Sequence, residues 1–190
     1  VQKSRLDIVK EAVNALTTSM RNVKVGVMRF NRDEGGRVVA ALEDIETARN
    51  NVQNIVNDLT PSGQTPLSET LYEATQYFMG RAVDYGNLTD ERSVAESRIG
   101  NDPNGALYKS PLDEACSKNF IILLTDGEPS GDSGAVSKIQ GLPAFATTVA
   151  PACDGSGEGR CLDDLAAYLA SYDLSPTLPG IQTVTTHTIG

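Results

Sequence analysis

Apolar positions along the chain alternate between two periods, and the switches between them mark its elements. Leu6, Val9, Val13 and Leu16 recur at helical spacing, with Ile8 and Ala12 widening the stripe. Ser4 and Asp7 stand three apart at the start of that stripe, as a capping pair does. Val23, Val25 and Val27 then alternate as a strand should, and Met28 and Phe30 continue it on the other face. Asn31 to Arg37, with Gly35-Gly36, predicts a hairpin-like turn into a second strand, Val38 to Leu42, so this pair is expected to be antiparallel. Ile45, Ala48, Val52, Ile55 and Leu59 predict an amphipathic helix. Leu67, Leu71, Ala74 and Phe78 predict another, with Pro66 at its first position and Thr65 as the cap before it.

The stretch Asn119-Phe-Ile-Ile-Leu-Leu-Thr-Asp-Gly-Glu-Pro129 is different in kind. Phe120 to Leu124 form an unbroken apolar run, which predicts a strand covered on both faces, as in a parallel sheet. Asp126 falls just past its carboxyl end, where open α/β sheets place ligands. Asp126-Gly127 is also a common turn pair, and both readings stand at this point. Leu162, Leu165, Ala166 and Leu169 predict a last helix and Thr183 to Ile189 a β-branched last strand. Residues 81–118 and 127–161 are polar and Gly/Asn/Asp-punctuated, and read as insertions with little regular structure. The order helix, strand, strand, helix, helix, strand, helix, strand favours an α/β fold: a three-layer, doubly wound, mostly parallel sheet with one antiparallel strand.

Composition narrows the function classes. At 190 residues, with 39% hydrophobic and 22% charged, the chain suits one domain with a sizeable core. A net charge of −9 argues against a nucleic-acid binder. No apolar run reaches the roughly 20 residues of a membrane span. Of the three cysteines, Cys153 and Cys161 bracket a flexible polar loop, 154–160, that a disulfide would close in an oxidising compartment. Cys116 is then free or paired elsewhere. Zinc is the poorer reading, because His187 is the only histidine and no Cys-x-x-Cys occurs.

Other signals weigh little. The glycines at 155, 157 and 159 have no preceding strand and no Gly-Lys-Ser/Thr, so they make a poor phosphate cradle. Asn87-Leu88-Thr89 matches the glycosylation pattern, and Asp102-Pro103-Asn104-Gly105 reads as a turn before it reads as a calcium loop. His187 alternates with threonines in a strand, which suits a structural role. No catalytic constellation emerges, and the chain is expected not to be an enzyme.

Three segments together resemble a von Willebrand factor A domain. Arg5 to Phe30 is similar to that fold's first helix and second strand, Gly63-Gln-Thr-Pro-Leu67 to its second metal-site loop, and Leu124-Thr-Asp-Gly-Glu-Pro129 to its third. The resemblance implies a metal-ion-dependent adhesion site in which Thr65 and Asp126 are ligands of Mg2+, a hard ion that takes oxygen donors. The family's Asp-x-Ser-x-Ser loop does not occur here. The resemblance places it ahead of Val1 with the first central strand, so 1–190 is expected to be a single domain cut at both ends, its metal site incomplete in this chain.

A narrower resemblance runs through the insertions. Tyr108-Lys-Ser-Pro111, Ala115-Cys-Ser-Lys-Asn-Phe120, Tyr172-Asp-Leu-Ser-Pro-Thr-Leu-Pro-Gly180 and Gln182 to Gly190 are similar to the PilY family of type IV pilus tip-associated biogenesis factors and adhesins. That implies a bacterial surface protein at the pilus tip or outer membrane, acting in pilus biogenesis, attachment and surface sensing. Its partners would be pilus tip or minor pilin proteins, or host and surface ligands. In that family a Ca2+-binding β-propeller follows this domain, so Ca2+ belongs to a downstream domain. The rival readings are an intracellular A-type accessory domain of a chelatase or ATPase assembly, and a nucleotide-dependent enzyme on a doubly wound sheet.

Overall fold

The computed structural model describes residues 3–100, 105–125 and 127–190. The turn expected at Asp102–Gly105 falls largely outside them, and Asp126 lies outside them entirely.

Helix α1 (Arg5–Ser19) starts with the expected reciprocal cap: Ser4 Oγ accepts from Asp7 N–H, and the Asp7 carboxylate accepts from Ser4 N–H. Strands β1 (Lys24–Phe30) and β2 (Gly36–Asp44) pair antiparallel, as the short turn requires. Helix α2 (Ile45–Asn57) and helix α3 (Leu67–Met79) follow. The first insertion is less irregular than its composition suggests. It holds β3 (Asn87–Leu88) with β4 (Glu91–Arg92), a 3-10 turn at Ala95–Ser97, and β5 (Arg98–Ile99) with β6 (Leu107–Tyr108). Strand β7 (Asn119–Leu124) leads to two short helices, α4 (Val136–Gln140) and α5 (Phe145–Thr148), in the second insertion. Helix α6 (Leu162–Ser171) and strand β8 (Val184–Ile189) close the order. Strands β7 and β8 run parallel, Asn119 opposite Val184 through Leu124 opposite Ile189. The architecture is α/β, with four two-stranded ladders among the described residues, of which β7–β8 is the parallel one.

Helix α3 is the centre of the molecule. Twelve of its thirteen residues are buried, which a narrow Leu67–Leu71–Ala74–Phe78 stripe alone would not require. Leu71, Tyr72 and Phe78 pack with α6 and with Ile121 and Val184 of the parallel ladder. Tyr77 packs with Val38, Val83 and Tyr108 on one face of the antiparallel ladder. The other face of that ladder, Val25, Val27 and Ala40, meets Ala48, Val52 and Val56 of α2. The β1–β2 ladder is therefore covered on both faces.

The β7–β8 ladder is not, and here the expectation of a doubly covered strand fails. Ile121 and Leu123 point into the core, while Phe120 is 57% and Ile122 51% exposed, with Ile189 at 57% on the same face. No described element packs there, so the unbroken apolar run records the strand's composition and not two covered faces. His187 stands on this face, its ring stacked on Phe120 at 6.0 Å. Helix α1 departs in a similar way. Val13 joins the α2 cluster, but Ile8 and Leu16 are more than half exposed.

The second insertion carries the expected Cys153–Cys161 disulfide, eight residues apart, with Cys161 fully buried and Cys116 free and exposed. No helix among the described residues is long and apolar enough to cross a membrane.

Candidate functional site

The sequence nominates two loops, one before α3 and one after β7, and the structure brings them together. Thr65 and Ser130 form an antiparallel bridge: Thr65 N–H donates to Ser130 O at 3.2 Å, and Ser130 N–H returns to Thr65 O at 3.1 Å. Ser130 Oγ accepts from Thr65 N–H as well, at 3.0 Å. The backbone of Thr65 is thus satisfied in both directions by the loop that follows β7. Thr65 is half-buried, with no hydrogen bond from its hydroxyl among the described contacts.

Thr65 does not cap α3, contrary to the sequence expectation. The cap position falls on Pro66, which offers no side-chain acceptor. The open amides are met from across the fold by Asp132, whose carboxylate accepts from Ser68 N–H at 2.8 Å and from Glu69 N–H at 3.0 Å. A helix start needs partners for its first amides, and a carboxylate also complements the positive end of the helix dipole. Because Asp132 does this, the Thr65 hydroxyl is released from capping.

Two carboxylates on α3 complete the frame. Glu69, fully buried, accepts from Gly35 N–H at 2.7 Å and from Gly134 N–H at 2.8 Å, tying the β1–β2 turn and the second insertion to one helix. One turn on, Glu73 accepts from the amides of Asp84, Tyr85 and Gly86 and from the Tyr108 hydroxyl at 2.6 Å. Burial raises the pKa of Glu69 and of Asp132 from their ordinary values, opposed in each case by the backbone amides they hold. Burial likewise pushes Glu73 up to about 7 against its four hydrogen bonds. Lys138 of α4 pairs with Asp84 at 2.8 Å and lies over the Tyr85 ring at 3.9 Å, joining the two insertions.

Beside the Thr65 loop lies an open cleft of about 520 Å³, walled by Arg32, Asp33, Glu34, Arg37, Ser62 and the 88–91 turn. Gln64 N–H donates to Arg32 O at 2.9 Å, so cleft and loop share a wall. Gly63 is held at φ +88°, and a Cβ there would sit 2.2 Å from Arg32 O. That close approach is why a glycine precedes Gln64-Thr65.

The family model for the von Willebrand factor type A domain matches residues 1–128, from ahead of α1 to the loop after β7. The chain belongs to that family. The loop before α3, with Thr65, lies inside the matched span, and the loop after β7 enters it as far as Glu128, Asp126 included. Domains of this family mediate binding and protein interactions, and the chain is such a module. No curated protein and no solved structure matches the chain.

The family's adhesion metal can be tested against the donors present. Magnesium needs about six oxygen ligands. Among the described residues no group of three His, Cys, Asp or Glu could hold a metal. The described donors by themselves do not make an ion site.

The sequence reading passed over Asp132, Glu69, Glu73 and Ser130. One signal was available. The α3 segment carries two Glu and no Lys or Arg in a helix otherwise without charge. Two carboxylates lacking cationic neighbours on a buried helix need uncharged donors as partners, backbone amides or hydroxyls. Nothing in the sequence says which donors.

Proposed function

We propose that this von Willebrand A domain is the binding and adhesion module of a type IV pilus tip-associated protein, acting in pilus biogenesis, surface attachment and mechanosensing. It works by binding and not by catalysis. The binding face is built from the loops 62–66 and 127–132 and the adjoining cleft. One observation carries this reading: the Thr65–Ser130 bridge, which sets two loops 65 residues apart side by side through the backbone of Thr65.

In this reading Thr65 and Asp126 are ligands of a Mg2+ ion whose remaining donors come from outside the described residues. The ion would present an open coordination position to a partner's carboxylate. The ladders β1–β2 and β7–β8 are parts of one doubly wound, mostly parallel sheet, with α2 on one face and α3 on the other. Partners are pilus tip or minor pilin proteins, or host and surface ligands, and Ca2+ is bound in a separate downstream domain. The Cys153–Cys161 disulfide supports a compartment outside the cytoplasm, since such bonds persist in oxidising surroundings. The same bond counts against an intracellular accessory domain.

The test is retention of the domain on immobilised minor pilin assemblies with and without Mg2+, beside a calorimetric Mg2+ titration. Saturable Mg2+ binding that is lost in Asp126→Ala and Thr65→Ala, with retention following it, is the expected result. A folded protein that neither binds Mg2+ nor is retained would overturn the reading.

A further inference from the structure

Asp132 sits at a junction that neither the family resemblance nor the cation reading uses. It is fully buried, and its two carboxylate oxygens hold the first amides of α3, two and three residues beyond Pro66. Its carbonyl accepts from Gly159 N–H at 3.2 Å. Gly159 belongs to the hairpin that Cys153 and Cys161 close. It is held at φ +70°, where a Cβ would stand 2.7 Å from Pro129 and 3.3 Å from the Asp132 carboxylate. The hairpin is itself anchored on α6, since Cys153 N–H donates to the Asp164 carboxylate at 2.8 Å. Two residues before Asp132, Ser130 clamps both backbone groups of Thr65. A continuous path of short contacts therefore runs from the disulfide through Gly159 and Asp132 to the start of α3 and the Thr65 loop.

We infer that Asp132 is a positioning residue, through which the disulfide-closed hairpin 153–161 sets the Thr65 loop in its binding geometry. The inference rests on reading the Thr65 loop as part of the binding face. With the disulfide closed, Gly159 is fixed over Pro129 and Asp132, and Asp132 holds the helix start. With it open, Asp132 loses its backing, the amides of Ser68 and Glu69 lose a fixed acceptor, and the Thr65 loop is freed. Opening is a two-electron thiol–disulfide exchange. A dithiol reductant gives up two electrons and two protons, becomes a cyclic disulfide, and leaves Cys153 and Cys161 as thiols. The domain would thus present an ordered binding face only in its oxidised form.

The experiment is amide hydrogen exchange over residues 63–69, on the full chain, before and after dithiol reduction, in wild type and in Asp132→Ala. Cys153→Ser/Cys161→Ser supplies the open state if the buried sulfurs resist the dithiol. Each perturbation alone should speed exchange at 63–69 on the order of tenfold, as loss of two fixed acceptors implies. Opening the disulfide in Asp132→Ala should add nothing, because the path is already cut. Asp132→Asn, which keeps one acceptor, should fall between. The buried amides of Val52 and Val56 in α2 should be unchanged throughout. Unchanged exchange at 63–69, acceleration that spreads equally to α2, or full additivity of the two perturbations would each overturn the inference. None of these readings involves Mg2+ or a partner, so failure of the binding assay leaves this result standing, and the reverse.

Discussion

Glu73 is the residue on which the pH behaviour of the molecule turns. It lies fully buried on α3, met by three backbone amides and the Tyr108 hydroxyl, with no cation among its hydrogen-bond partners. Burial raises its pKa from 4.5 to about 7, so the folded chain holds this proton more tightly than the unfolded chain does. The stability it contributes is then complete below about pH 4.5 and is lost as the pH rises through about 7, by on the order of 3 kcal/mol. Denaturant titrations between pH 4.5 and 8 should show that fall, and Glu73→Gln should flatten it. Tyr108→Phe removes a hydrogen bond that favours the ionised carboxylate. It should therefore raise the Glu73 pKa further and cost about 1–3 kcal/mol at pH 8, read from the same titrations. The sequence marks Glu73 only as one of two Glu on a helix without Lys or Arg, and neither its burial nor its partners are legible there. Its burial comes from contacts 11 to 35 residues away along the chain.

Among elements, α3 and the two loops flanking its start were the most legible. Leu67 to Phe78 was predicted as a helix and is one, and the loops at Thr65 and Asp126 were nominated together. The error at Thr65 is instructive. Threonine before proline satisfies every local rule for a cap, yet a carboxylate 67 residues further along takes the amides instead. Local capping rules rank residues by propensity and cannot see a competitor that arrives through tertiary structure. Gly63 shows the same dependence. Gly63→Ala must abandon φ +88° or push Arg32 aside, and should cost on the order of 1–3 kcal/mol in thermal unfolding while displacing the Thr65 loop. The disulfide was legible from its flexible bracket, and Cys153→Ser/Cys161→Ser should cost about 2–3 kcal/mol, measured as a fall in the denaturation midpoint.

At the scale of the whole molecule the two ladders are finished differently. The β1–β2 pair is covered by α2 and α3, whereas β7–β8 keeps Phe120, Ile122 and Ile189 open on one face. Contiguous apolar surface of this kind binds dyes and promotes association. Phe120→Ser/Ile122→Thr should reduce the fluorescence of a bound hydrophobic dye several-fold. It should shift stability by no more than about 1 kcal/mol, since neither side chain packs in the described core. Equal dye binding in the variant would place the exposed surface elsewhere.

Local sequence by itself determined the α/β class, the antiparallel β1–β2 pair, the reciprocal cap of α1 and the helix at α3. Apolar periods of 2 and 3.6, a short Gly-Gly turn and the polar pair Ser4 and Asp7 each act within a few residues. The motif Thr-Asp-Gly after an apolar strand and the Gly-Gln-Thr-Pro loop, with Arg5 to Phe30, carried the resemblance to the family whose model matches residues 1–128. Only the tertiary structure decided that α3 is buried on nearly every side, that Asp132 holds its first turn, and that Phe120 and Ile122 stay open. The reason is physical. A buried carboxylate must find donors and an apolar strand must find a cover, but which atoms answer is settled by segments far apart in the chain that meet only when it folds.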